Sequence, residues 1–193
     1  MANIFIVRHG QDEDNAKGIL NGRRDMPLTE LGREQAKIAG GKLKDNQIDV
    51  IYCSPLQRTR QTAEIIAKEI GIDQVTTLDD LVEREFGIIT GKPVADIPKY
   101  AGDKVLKTEH VLYFLEVEGS ETFPEVLDRA KRVLDWVQEK HPTGNVLLAT
   151  HGDLGKMIRA AYHGWTWEKG LMHSHLGNSE VLELFPGKED VVE

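Results

Sequence analysis

Ile4-Phe5-Ile6-Val7 is an unbroken β-branched and aromatic run that stops abruptly at Arg8-His9-Gly10. A continuous apolar run of this length reads as a strand buried on both faces. Asp49-Val50-Ile51-Tyr52-Cys53 and Asn145-Val146-Leu147-Leu148-Ala149 have the same character. Strands buried on both faces need a cover on both faces, and the segments between them supply it. Val181, Leu182, Leu184 and Phe185 predict a fourth strand, at an edge or half-exposed.

Ala63, Ile66, Ala67 and Ile70 fall at i, i+3, i+4 and i+7, an apolar stripe along one helix face. Phe123, Val126, Leu127, Ala130, Leu134 and Val137 keep that period over four turns, and Leu154, Met157, Ile158 and Ala161 repeat it. Residues 29–44 read as a further helix with Thr29 as N-cap, weakened near its end by Gly40-Gly41. Alternating strands and helices predict an α/β fold: a three-layer sandwich with a mainly parallel central sheet and helices on both faces. With 193 residues and no linker, the chain is expected to form one domain over 1–193. Residues 87–120, broken by Gly87, Gly91, Pro93, Pro98, Gly102 and Gly119, read as an irregular insertion over one edge of the sheet, in the manner of a substrate lid.

Composition enters through charge. There are 24 Lys+Arg against 32 Asp+Glu, a net charge of −8 that argues against general affinity for nucleic acid or anionic lipid. Cys53 is the only cysteine, so no disulfide framework exists. No apolar run approaches a membrane span, and MANIFIVRHG lacks a charged n-region ahead of an apolar stretch, so the cytoplasm is the expected location. Any anion site must therefore be a local gathering of cations set against the global field.

The carboxyl ends of the predicted strands provide one. In an open α/β sheet ligands bind there. The three buried runs lead directly into Arg8-His9-Gly10, Ser54-Pro55-Leu56-Gln57-Arg58 and Thr150-His151-Gly152. Two Arg and two His converge on one rim. A planar guanidinium binds phosphate oxygens in pairs, so the simplest guest is a phosphoryl group. One His can act as nucleophile while the other, protonated, stabilises the transferring group. Such a site needs no metal, because Arg and His⁺ neutralise the oxygens a metal would otherwise hold.

Arg8-His9-Gly10, the SPLQRTRQT stretch at 54–62 and His151-Gly152 together resemble the signatures of the histidine phosphatase superfamily, whose members include the cofactor-dependent phosphoglycerate mutases and many small phosphatases. The likeness extends from residue 4 to about 184. It implies a phosphoglycerate mutase-like fold, with His9 as the nucleophile that becomes phosphohistidine and Arg8, Arg58 and His151 as the cationic groups around the phosphoryl oxygens. It implies that Asn15 is a neutral donor and that Asn21, Gly22, Arg84 and Gly152 belong to the substrate-binding set. In LVEREFG at 81–87, Glu83 matches the family's proton donor; Asn178 matches a late, mainly architectural Asn. Two Arg charges favour a neutral His9, while burial or an anionic substrate favours a protonated Glu83.

The chain also departs from the family pattern. Where the family continues with Glu and then Ser or Thr, this sequence has Gln11-Asp12-Glu13-Asp14, whose acids would repel an anionic substrate at the mouth and are expected to be solvated loop residues. The insertion carries Lys92, Lys99, Lys104 and Lys107 but no Arg between Arg84 and Arg129, and the final GKEDVVE is short and acidic. Mutases of the superfamily hold a substrate carboxylate with an Arg pair and cover the site with a tail, so hydrolysis is favoured over transfer. A mutase-like phosphotransferase and a silent phospho-ligand module are the alternatives. The expected partner is a small phosphorylated substrate, with no cofactor, metal, nucleic acid or membrane; a homodimer stays open. His173-Ser174-His175 lacks a third ligand at metal spacing and reads as solvated or capping; Trp165, Trp167 and Met172 read as packing.

Overall fold

The computed structural model describes residues 1–173 and 176–187, and the backbone of 191–192. The chain runs β1 (Asn3–Arg8), α1 (Glu13–Ala16), α2 (Glu30–Leu43), β2 (Val50–Cys53), α3 (Gln57–Ile70) and β3 (Val75–Thr77). It continues with α4 (Ile97–Ala101), β4 (Val105–Lys107), β5 (Leu112–Phe114), α5 (Phe123–Lys140), β6 (Asn145–Thr150), α6 (Gly152–Tyr162), α7 (Trp167–Met172), β7 (Val181–Leu184) and β8 (Val191–Val192).

The main sheet has the order β3-β2-β6-β1-β7-β8. β1, β6, β2 and β3 are parallel neighbours, while β7 and β8 are antiparallel. Alternation along each strand sends side chains to two cores. Ile4 and Ile6 pack with Tyr52, Val146 and Leu148 under α5, α6 and α7, whereas Phe5 and Val7 pack with Ile51, Cys53, Leu147 and Ala149 under α2 and α3. The three-layer arrangement read from the strand runs is therefore present. The Gly40-Gly41 pair does not end α2, which continues to Leu43. A Cβ at Gly40 would lie 2.7 Å from the Glu69 Cβ, so the missing side chain is what lets α2 approach α3.

Two expectations need correction. The strand over 181–185 is neither an edge nor half-exposed: all four residues of β7 are buried, because β7 lies between β1 and β8. Residues 87–120 are not irregular either. They hold short 3₁₀ turns at 87–89 and 94–96, α4 and the β4–β5 hairpin. These pack on a small apolar cluster of their own, built on Phe86, Ile89, Ile97, Ala101, Phe114 and Val117. Backbone bonds from Gly91 N–H to Leu20 O (2.7 Å) and from Val94 N–H to Gly18 O (2.9 Å) tie the segment to the loop after α1. Among the described residues no helix is long and apolar enough to cross a membrane.

Candidate active site

Insertion of β6 between β2 and β1 brings three carboxyl ends side by side, the switch-point geometry at which α/β sheets hold ligands. The His9 N–H donates to Thr150 O (3.0 Å) and the Ser54 N–H to Ala149 O (3.1 Å), so the three loops leave the sheet in register.

His9 and His151 face each other with ring centroids 5.2 Å apart, both essentially buried. Arg58, in the first turn of α3 and fully buried, bridges them: its Nε is 3.2 Å from His9 Nε2 and its Nη2 is 3.1 Å from His151 Nδ1. A guanidinium only donates, so these two ring nitrogens are acceptors. His9 then carries its proton on Nδ1, which donates to Gly10 O at 2.7 Å, and His151 on Nε2, 2.8 Å from Ser54 Oγ. Burial first, and then Arg58, hold both imidazoles well below the usual histidine range. Both are neutral in the resting site, and His9 keeps its lone pair on Nε2. Arg58 Nη1 also donates to Arg24 O (2.6 Å) and Nη2 to Gly22 O (2.7 Å), which fixes the fork. Gly22 serves through this carbonyl and its positive φ of 48°, and does not line the cavity.

Arg8, His9, Asn15, Asn21, Glu83, Arg84 and Gly152 all line one cavity of about 170 Å³. Arg8 Nη1 donates to Leu176 O (3.0 Å), and the Gly152 backbone lies beside that guanidinium, close enough that a Cβ there would touch its Nε in ordinary contact at 3.6 Å. Asn178 Nδ2 donates to His9 O (3.0 Å) and to Asn15 Oδ1 (3.2 Å), bracing two cavity residues from behind.

Glu83 is buried at the cavity wall. It accepts from the backbone N–H of Arg84 (2.9 Å) and from the first turn of α6 at Asp153 (3.4 Å) and Leu154 (3.3 Å). Those amides favour the carboxylate, but burial and the neighbouring Asp153 outweigh them and raise its pKa. Arg84 reaches the cavity only with a guanidinium already engaged. Its Nε pairs with Asp153 (2.7 Å), Nη1 donates to Glu121 O (3.2 Å) and Nη2 to Phe114 O (3.2 Å). Its central carbon lies 3.9 Å from the Phe114 ring centroid and 4.3 Å from that of Phe123.

The acidic run after Gly10 does not form a solvated loop. Asp12 and Asp14 are buried. Asp12 caps α1 through Asn15 N–H (2.7 Å), accepts a very short bond from Asn21 Nδ2, and lies 3.3 Å from Arg58 Nε and 4.0 Å from His9 Nδ1. Asp14 pairs with Arg24 at 2.7 Å. Their side chains find cationic and amide partners inside, and only Glu13 keeps substantial contact with solvent. Charge composition alone offers no means of separating them, though the cap position of Asp12 was available as a signal.

Elsewhere, Trp167 stacks on Phe123 with centroids 5.9 Å apart, and Trp165 lies between His163 and His173, so both tryptophans pack. Met172 is exposed instead of packed. Ser174 and His175 lie outside the described residues. Among the described residues no three His, Cys, Asp or Glu gather as a metal cluster. Sequence reasoning missed Ser54 as the partner of His151 and Asp153 as the partner of Arg84; both arise from loop proximity that only the assembled sheet reveals.

Comparison with known proteins agrees with this geometry. The chain is 32% identical over 152 residues to PhoE, an uncharacterized phosphatase of Bacillus subtilis, covering 79% of this chain and 72% of that one. It is 30% identical to phosphoserine phosphatase 1 of Hydrogenobacter thermophilus, with coverages of 78% and 71%. It is 32% identical to a 2,3-bisphosphoglycerate-dependent phosphoglycerate mutase of Mesorhizobium japonicum, with coverages of 86% and 84%. In fold it superposes on Bacillus stearothermophilus YhfR with a TM-score of 0.84 over 100% of this chain and 95% of that one, at 24% identity. Residues 4–192 match the model of the histidine phosphatase superfamily (branch 1), and the chain belongs to that superfamily.

Proposed function

We propose that this protein is a metal-independent phosphomonoester hydrolase that works through a phosphohistidine on His9 and acts on a small phosphorylated metabolite. One observation carries the reading: His9 Nδ1 is tied to Gly10 O while Nε2 is an acceptor 3.2 Å from a buried guanidinium. That arrangement suits a neutral imidazole whose Nε2 lone pair, held by Arg58 at rest, turns to the phosphorus as the guanidinium takes up the equatorial oxygens.

His9 Nε2 attacks phosphorus and the ester P–O bond breaks. Arg8 from the cavity wall, and Arg58 and His151 from beside His9, meet the equatorial oxygens; His151 takes up a proton from solvent as the dianion arrives and gives it back when phosphate leaves. Glu83, kept protonated by burial, gives its proton to the leaving oxygen. The resulting carboxylate takes a proton from water as that water attacks the phosphohistidine, returning His9 and inorganic phosphate. The names of several relatives support hydrolysis. The mutase-named relatives keep phosphoryl transfer in view, but Arg84, which could hold a second anionic group, has each of its nitrogens on a protein oxygen.

The test is phosphate release from an aryl phosphate in EDTA, with acid-labile, base-stable labelling mapped by mass spectrometry. Sustained turnover and a label on His9 are expected. Loss of activity in EDTA that a divalent ion restores would exclude the metal-independent route, and a substantial rate in His9→Ala would exclude the nucleophile.

A further inference from the structure

The phosphoryl end of the cavity is polar, but its far wall is not. Leu20, Phe86, Val94, Ile97, Leu112 and Phe114 line it. Five of these, Phe86, Ile97, Phe114, Leu20 and Leu112, belong to or pack against the apolar cluster that organises residues 87–120, so the wall is the cavity-facing side of a packed unit. Val94 extends it outward as a half-exposed apolar lip.

Of the polar groups nearby, the β5 backbone, Asp153 and Lys156 are already engaged, and Tyr113 adds a hydroxyl-bearing ring to the lining. The β5 backbone is paired with β4, and Phe114 O also accepts from Arg84. Asp153 is taken by Arg84 at 2.7 Å. Lys156 lines the cavity too, yet its ammonium donates to Leu171 O (3.3 Å) and His173 O (3.2 Å) and sits 5.4 Å from the Tyr113 ring centroid. A sugar or polyol placed there would lose water from its hydroxyls and find few partners in return, and each hydroxyl left unpaired weakens binding. A wholly apolar cavity of about 150 Å³ accepts benzene; this cavity measures about 170 Å³ with its phosphoryl end included, so the room beside the wall suits a small organic group.

We infer that the substrate is a phosphomonoester of an apolar alcohol, aromatic or alkyl, whose organic part lies on the Phe86–Leu112–Phe114 wall while the phosphoryl group sits at His9. The inference rests on the phosphatase reading for the position of the phosphoryl group and adds the class of alcohol.

Alkylphosphonates from methyl to butyl, which cannot be hydrolysed, test the wall apart from the chemistry. Measured by calorimetry on the full chain, affinity should rise with each methylene, by up to about fourfold at complete burial. Dihydroxypropylphosphonate should bind more weakly than butylphosphonate, and Leu112→Asn should flatten the series. Tight methylphosphonate binding with no gain along the series would overturn the apolar wall and leave the phosphoryl site standing. Binding of none of the series would overturn both. In turnover, phenyl and hexyl phosphates should exceed glycerol phosphate in kcat/KM; the reverse order counts against the assignment, whereas hydrolysis of none of them counts against the phosphatase reading instead.

Discussion

Arg58 Nε stands 3.2 Å from His9 Nε2 while Asp12 Oδ2 stands 3.3 Å from the same guanidinium nitrogen. One buried cation thus serves a nucleophile and a carboxylate at once, and the consequences differ for the two partners. For His9 the nearby charge adds to burial and holds the imidazole neutral well below its ordinary pKa of 6.5. In the proposed mechanism His9 acts as the free base, so it is expected to remain competent as pH falls through 6.5. Glu83 is the acid of the proposed mechanism, and burial raises its pKa above the ordinary 4.5. The acid limb of kcat/KM due to His9 is therefore expected well below pH 6.5, and the alkaline limb due to Glu83 above pH 4.5. The second ionisation of the substrate, near 6 for a phosphomonoester, is common to all variants, so Glu83→Gln compared with wild type isolates the alkaline limb. An acid limb at 6.5 that moves with His9 environment variants would show an ordinary imidazole and remove the argument for its neutrality.

For Asp12 the relationship runs the other way. Its carboxylate cancels part of the Arg58 charge that an incoming phosphate needs. Asp12→Asn keeps an oxygen to cap Asn15 and removes that charge. Inorganic phosphate is expected to bind more tightly to the variant, by at least roughly tenfold, since at an effective dielectric near 20 a unit charge as far as about 12 Å away is still worth about 1.4 kcal/mol. Burial raises the Asp12 pKa, so the wild-type carboxylate protonates sooner than an exposed one and the advantage should shrink as pH falls. Unchanged affinity at neutral pH would mean Asp12 is already neutral in the resting protein.

The strands around the site and the four groups Arg8, His9, Arg58 and His151 were legible because each comes soon after a buried apolar run, and sheet register then leaves them little choice of position. The order of the strands was not legible, since β6 inserts between β1 and β2 through contacts far apart in sequence. Nor was the burial of Asp12 and Asp14. A carboxylate looks solvated in sequence unless its partner is known, and Arg24 and Arg58 reach these acids from other loops. The segment 87–120 failed for another reason: its elements are three to five residues long, too short to display a period.

Arg84 shows how a motif position can be structural as well as part of a cavity wall. Its side chain is 1% exposed, paired with Asp153 and packed between the rings of Phe114 and Phe123. Arg84→Met keeps the volume but leaves Asp153 without its cation, a change that typically costs about 3–5 kcal/mol. For a chain of this size each kcal/mol lowers Tm by roughly 2–4 °C. A clear fall in Tm is expected, partly restored when Asp153→Leu is added. An unchanged Tm with a raised KM would assign Arg84 to substrate binding instead.

Glu83 admits a sharper test than loss of activity. An alkyl phosphate leaves as a basic alkoxide and needs a proton in the transition state, while a nitrophenyl phosphate leaves as a stable phenolate and needs it far less. General acid catalysis is typically worth about 10²–10⁴. Glu83→Gln should slow phosphorylation of His9 by alkyl phosphates by something near that range and by nitrophenyl phosphate much less. Single-turnover measurement is required, because the proposed mechanism also makes Glu83 the base for the second step, and its loss there would mask the contrast. Glutamine keeps an oxygen for the Arg84 N–H that the Glu83 carboxylate accepts at 2.9 Å, so the loop geometry is retained. Equal losses for both leaving groups would make Glu83 a positioning residue. Glu85 and Glu121 are poor substitutes in that event: neither lines the cavity, and Glu121 is already bound by Arg129 at 2.7 Å. The remaining acid at the wall is Asp153, and releasing it from Arg84 would be the step to examine next.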